Sequence, residues 1–153
     1  MISAALIGAG YWGRNLARNM AASPSIDFKA IADSSIDAAT DLAARYPAVR
    51  AVTDLESTGV LDEVEAVVIA TPPKSHTELV TRYLEAGKHV MVEKPVATST
   101  ADAVALADLA DRSGLVLMTD HTYCYTPVVE ELRRLYADGA FGTLHYWESI
   151  RVN

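Results

Sequence analysis

Residues 3–13 read SAALIGAGYWG, and the order of residue types in them decides the fold. SAALIG is apolar and of strand length. The glycine-rich GAGYWG follows without a break, and residues 12–22 then carry apolar side chains at helical spacing. Gly8, Gly10 and Gly13 stand in G-x-G-x-x-G spacing, which is informative only where a strand precedes it and a helix follows, as here. Each glycine has its own task. Gly8 allows the tight turn, Gly10 lets the backbone approach a pyrophosphate, and Gly13 lets the helix pack closely on the strand. The free N–H groups and partial positive charge of the helix start then favour phosphate. Arg14 has two readings, a phosphate contact or a solvated side chain.

Outward from this turn, strand-length apolar runs alternate with longer helical stretches. Strands are predicted at 3–8, 26–32, 49–52, 65–70, 88–92 and 115–119, with helices at 12–22, 35–46, 75–86 and 100–113. Ser99 or Thr100 is placed to cap the last of these helices, and Gly87 and Gly114 stand where helices stop. This rhythm predicts an α/β fold, a Rossmann-type doubly wound parallel sheet covered by helices on both faces. A helix is predicted at 127–138. A strand follows, with Leu144, Tyr146, Glu148 and Ile150 spaced for one face. Residues 1–122 are therefore read as a dinucleotide-binding domain. Residues 123–153 are read as the connecting helix and first strand of a truncated second α/β domain.

Composition narrows the function. The chain has 153 residues, half of them apolar and 7% aromatic. That suits a core of Ala, Val, Leu and Ile between helices and a sheet. A net charge of −7 argues against nucleic acid and anionic membrane, but not against a phosphate held at a helix start. The single cysteine, Cys124, leaves no internal disulfide or cysteine cluster and fits a reducing, cytoplasmic setting. It reads as a small lining residue or as a nucleophile. The first ten residues lack a basic segment, so neither a signal peptide nor a membrane span is expected. No metal site is expected.

Three strand ends carry the remaining chemistry. The second strand ends in IADSS. Asp33, twenty residues after Gly13, is placed to accept hydrogen bonds from adenosine ribose hydroxyls and to repel a 2′-phosphate, which favours NAD over NADP. It also reads as a helix cap. The fourth strand runs into IATPPKSH, where the double proline stops it at the carboxyl edge of the sheet. Thr71 and Pro72 lie there, and His76 opens the next helix as a surface histidine or a catalyst. The fifth strand runs into VMVEKPVATS, residues 90–99. Lys94 at that edge is placed to take a carbinol proton during hydride transfer, provided its amine is desolvated or lies near a positive charge. It also reads as a surface lysine beside a turn.

Together, IGAGYWGRNLARN, VVIATPPKSHTELV, YLEAGKHVMVEKP and DHTYCYTPVVEEL resemble the glucose–fructose oxidoreductase / inositol dehydrogenase / MocA (Gfo/Idh/MocA) family of NAD(P)-dependent enzymes. The resemblance runs from Ala4 to the end of the chain. It implies that Gly8, Gly10, Tyr11, Trp12, Gly13 and Asp33 line the dinucleotide site, and that Thr71, Pro72, His76, Glu93 and Lys94 line the rest of it. It further implies that Lys94 is catalytic, that Pro95 shapes its turn, and that His121 and Tyr123 lie near nicotinamide and substrate. Thr122, Tyr123 and Cys124 replace a stretch that often carries an arginine. GYWG with HTYCYTP is similar to members acting on nucleotide-linked or amino sugars.

Family members are about twice this length. Their second domain supplies an aspartate and a histidine for the proton path, most substrate contacts and the oligomer interface. The expectation is therefore the cofactor-binding half of a dehydrogenase for a sugar, nucleotide sugar or polyol, a homo-oligomer when complete. Alone it should bind NAD with little turnover. The alternative is a non-catalytic dinucleotide-binding module that senses redox state or serves a partner. S-adenosylmethionine binding is disfavoured because methyl transfer has no use for the Glu93–Lys94–Pro95 turn.

Overall fold

In the computed structural model, which describes residues 1–150, β1 (Ile2–Ile7) runs through the turn at Gly8–Gly10 into α1 (Tyr11–Ala22). β2 (Ile26–Ala32), α2 (Ile36–Ala43), β3 (Arg50–Val52) and the single-turn α3 (Val60–Glu63) follow. Then come β4 (Ala66–Ile69), a 3-10 turn at Pro73–Ser75, α4 (His76–Glu85), β5 (His89–Glu93), α5 (Thr100–Ser113) and β6 (Leu117–Asp120). The six strands pair in parallel in the order β3-β2-β1-β4-β5-β6. This is the doubly wound order expected from the sequence, and it reverses between β1 and β4. Ligands enter such sheets at that reversal, beyond the carboxyl ends of the strands.

The strands are short and rich in Ala, Val and Ile because both faces are covered. Alternate residues of β1 serve opposite cores. Ala5 and Ile7 pack with Leu55, Val60, Val80, Tyr83, Leu84 and Leu106 on one face. Ala4 and Leu6 pack with Leu16, Ala17, Met20, Phe28 and Leu42 on the other. Small residues at the centre, with Ala5, Ala17, Ala30 and Ala39 fully buried, bring helices close to the sheet. Helix ends follow their chemistry. The Ser99 hydroxyl accepts from the Asp102 N–H at 3.1 Å, and Gly114 (φ +64°) ends α5 in the left-handed conformation.

Residues from His121 onward form a second unit. It contains a 3-10 turn at Thr122–Tyr125 and α6 (Pro127–Ala137). An apolar groove of about 280 Å³ lies between Val129, Leu132 and Tyr136 of the helix and Phe141, Leu144 and Trp147 after it. The strand expected around Leu144–Ile150 is not formed, and residues 143–150 have no regular structure. Alternating side chains alone do not make a strand, which needs a neighbour for its backbone hydrogen bonds. Residues 151–153, which the second-domain reading also includes, lie outside the described residues. Among the described residues no helix is long and apolar enough to cross a membrane.

Candidate functional site

The glycine turn is built as its spacing demands. Gly8 has φ +100°, and a Cβ there would lie 2.6 Å from the Ala70 carbonyl oxygen. Gly13 lies under the turn, where a Cβ would run into the Gly8 carbonyl. Gly10 differs, because a Cβ there would meet nothing within 4 Å. It is the N-cap of α1 and brings no side-chain acceptor to the first-turn N–H groups. Donors and open space therefore coincide where a pyrophosphate would sit, so the residues present fit a dinucleotide.

Asp33 closes the turn from β2. Its Oδ2 accepts the Ala9 N–H at 2.8 Å, and its Oδ1 accepts the Ser35 N–H at 2.9 Å. The cap of α2 is Ser35, whose hydroxyl accepts from Ala38 at 3.3 Å, so the capping role read for Asp33 falls two residues on. A carboxylate has about four acceptor sites, so Asp33 keeps capacity for ribose hydroxyls while it fixes the glycine turn.

A crevice of about 550 Å³ opens at this edge. It brings together Gly8, Gly10, Asp33, Thr71 and Pro72 of the expected set. Tyr11 and Trp12 stand on the first turn of α1, exposed and edge-to-face at 5.4 Å. The far wall contains Asp54, Arg82 and Tyr83, which the sequence reading missed. Arg82 pairs with Asp54 at 3.1 Å and with Glu56 at 2.6 Å. The Ser57 N–H, then Arg82, hold Asp54 below the usual carboxylate range. Burial pushes the Tyr83 phenol up to about 12. Asp54 sits just beyond the carboxyl end of β3, and that location was the signal available in the sequence.

The expected nicotinamide end is carried by β4 and β5. Ile69 pairs with Val92, so Thr71 and Lys94 each stand two residues past one ladder rung. Lys94 is exposed and joined to Pro95 by a cis peptide. Glu93 is the last residue of β5 and is 6% exposed. Neither Glu93 nor Lys94 lines the crevice beside Asp33. His121 begins the second unit.

His76 overturns its surface reading. It is completely buried and is neither a surface residue nor part of the crevice wall. Its Nδ1 lies 2.7 Å from the Pro95 carbonyl oxygen and its Nε2 lies 2.8 Å from the Thr71 carbonyl oxygen. The ring ties the loop after β4 to the turn after β5. Replacing it with leucine keeps the bulk but removes the one N–H that a neutral ring donates to these carbonyls, at roughly 1–3 kcal/mol for a carbonyl stranded from water. His76→Leu should therefore lower unfolding free energy by about 1–3 kcal/mol in urea melts. A surface histidine would change it by at most about 0.5 kcal/mol.

Residues 2–121 match the model of the oxidoreductase family with an NAD-binding Rossmann fold, GFO_IDH_MocA. The chain belongs to the Gfo/Idh/MocA oxidoreductase family. It is 36% identical over 123 residues to the 4-carboxy-2-hydroxymuconate-6-semialdehyde dehydrogenase of Sphingobium sp. (strain NBRC 103272 / SYK-6), covering 80% of this chain and 39% of that protein. GenD2 from gentamicin A biosynthesis, solved in complex with NAD, superposes with a TM-score of 0.84 at 33% identity, covering 91% of this chain and 40% of that one. A mutant of KijD10, a 3-ketoreductase from Actinomadura kijaniata solved with TDP-benzene and NADP, gives 0.81 at 28% identity, covering 92% and 45%. The chain thus spans 39–45% of the length of these Gfo/Idh/MocA relatives.

Proposed function

We infer that this Gfo/Idh/MocA chain is the cofactor-holding part of an NAD-dependent dehydrogenase that oxidises a carbinol of a sugar, nucleotide sugar or polyol. The observation that carries the reading is the open helix start at Gly10 beside the Asp33 carboxylate, on the sheet edge where β5 presents Lys94. When bound, the nicotinamide cofactor supplies the hydride acceptor. The chain's own residues do the rest. First-turn amides of α1 hold the pyrophosphate, Asp33 accepts from the ribose hydroxyls, and Lys94 takes the hydroxyl proton. The motif resemblance and the TDP ligand of KijD10 support a nucleotide-linked substrate. The Sphingobium relative acts on a different compound, so the substrate class is a proposal of its own.

Cofactor choice tests this reading, because solved relatives carry either NAD or NADP. Asp33 sets a carboxylate where a 2′-phosphate would have to lie. NADH should bind the chain at least about tenfold more tightly than NADPH in calorimetry, a gap of about 1.4 kcal/mol. Asp33→Ser should close most of that gap. Equal affinities in the unaltered chain would remove Asp33 from the specificity argument, and no binding of either would remove the cofactor reading.

A further inference from the structure

Arg82 is the one basic side chain among the described residues that line the crevice, and it is already engaged. The Glu56 carboxylate takes it as a fork. Nε donates to Oε1 and Nη2 to Oε2, both at 2.6 Å. Nη2 also donates to Asp54 Oδ2 at 3.1 Å. The guanidinium carbon lies 5.7 Å from the centre of the Tyr83 ring. The two acids are set in place by their own turn. Asp54 Oδ1 accepts the Glu56 and Ser57 N–H groups at 3.0 and 2.8 Å, and the Thr58 hydroxyl donates to the Asp54 carbonyl at 2.7 Å. The Ser57 N–H lowers the Asp54 carboxyl and Arg82 lowers that of Glu56, so at neutral pH the cluster holds one cation and two carboxylates.

This cluster stands beside Asp33. Ala32 pairs with Val52 on the last rung of β2 and β3, and the Asp33 N–H donates to the Val52 carbonyl at 3.2 Å. Asp33 therefore stands one residue past that rung and Asp54 two, in the lining of one crevice. A 2′-phosphate on the adenosine ribose would come to this end, where Asp33 receives the ribose hydroxyls. A phosphate monoester is nearly a dianion at neutral pH, and arginine matches its oxygens with a rigid fork of donors. Arg82 has the right chemistry, but Glu56 fills its fork. All three side chains are part-exposed, a setting in which ion pairs add little stability. Their larger effect falls on the charge of the crevice.

We propose that Arg82 is a latent site for the 2′-phosphate of NADP, and that Asp54 and Glu56 keep it shut. The inference rests on the reading of the crevice as the dinucleotide site. Asp33 repels the phosphate directly. The two acids beyond β3 act on it through the one cation that could receive it. With Arg82 paired, an arriving 2′-phosphate meets the carboxylates of Asp33, Asp54 and Glu56 against a single guanidinium. With those charges removed it meets the guanidinium alone, and the Nε and Nη2 N–H groups are released to its oxygens. Asp54 and Glu56 are then specificity-determining residues, although neither belongs to the glycine fingerprint or to β2.

The test is calorimetry of NADPH and NADH on the 153-residue chain, in the Asp33→Ser background so that both are measurable. Asp54→Asn keeps the Oδ1 acceptor that its turn needs, and Glu56→Ala removes the fork. Together they should raise the ratio of NADPH to NADH affinity about tenfold over Asp33→Ser alone, a change of about 1.4 kcal/mol. Adding Arg82→Met should remove most of that gain. The ratio is the readout because the two cofactors differ only in the phosphate, so a merely structural loss weakens both and leaves it unmoved. A ratio that does not rise overturns the proposal. So does a rise that survives Arg82→Met, since the gain would then come from lost negative charge and not from the arginine. If the protein with Asp54→Asn does not fold, Glu56→Ala alone decides, because Glu56 is exposed and the Asp54 turn uses only its backbone. The ratio should then rise about threefold, and no rise overturns the proposal. Failure of the cofactor reading shows separately, as no binding of either cofactor to the unaltered chain.

Discussion

Gly13→Ala should cost the chain about 3 kcal/mol or more of stability and at least about tenfold in NADH affinity. The added methyl would run into the Gly8 carbonyl and come within 2.9 Å of its carbon. Both partners are backbone, so no side chain can swing away. Relief requires α1 to back off from β1, which opens the packing of Leu16 and Ala17 and moves the first-turn amides away from the pyrophosphate position. Gly10→Ala is the internal control. A methyl there meets no protein atom, and the residue's φ of −71° suits alanine. Its melting temperature should stay within about a degree of the unaltered chain, because surface changes free of strain cost little. Its NADH affinity should still fall, because the methyl fills the space the phosphates need. Thermal melts paired with calorimetry separate the two. If Gly10→Ala binds NADH as well as the unaltered chain does, the open space above α1 is not the pyrophosphate site.

That contrast marks what the sequence could and could not say. The spacing of Gly8, Gly10 and Gly13 with Asp33 foretold the turn, the sheet and the edge of the crevice, because each is a local pattern on a short stretch. The ion pairs of Arg82 in the far wall were invisible for the opposite reason. Arg82 meets Asp54 and Glu56 across 28 and 26 residues of chain, and no periodicity records such a pairing. His76 was misread by the same limit. A histidine opening a helix looks exposed until the Pro95 carbonyl, 19 residues away, is seen against its ring. The single turn α3 is too short to show a helical period. At residues 144–150 the error ran the other way, where a real alternation was read as a strand although, among the described residues, no strand pairs with it.

Lys94→Ala, made in the whole protein, should lower turnover by roughly two to four orders of magnitude, the usual worth of a general acid–base group. NADH affinity should stay within about threefold of the unaltered protein, an allowance of about 0.7 kcal/mol, because the glycine turn and Asp33 lie on other strands. The structure invests in this position. Val90 and Val92 anchor β5 in the core, Glu93 holds the Lys94 N–H, and His76 holds the next carbonyl but one along the chain, that of Pro95. A backbone fixed on both sides of an exposed lysine serves a side chain whose placement matters. Lys94→Arg separates charge from proton transfer. Arginine keeps the cation but does not give up its proton in proteins. If Lys94 takes the carbinol proton, Lys94→Arg should fall nearly as far as Lys94→Ala. If Lys94 only supplies charge, arginine should recover most of the turnover. Unchanged turnover in Lys94→Ala would take the lysine out of the mechanism and leave the family's chemistry to residues of another segment.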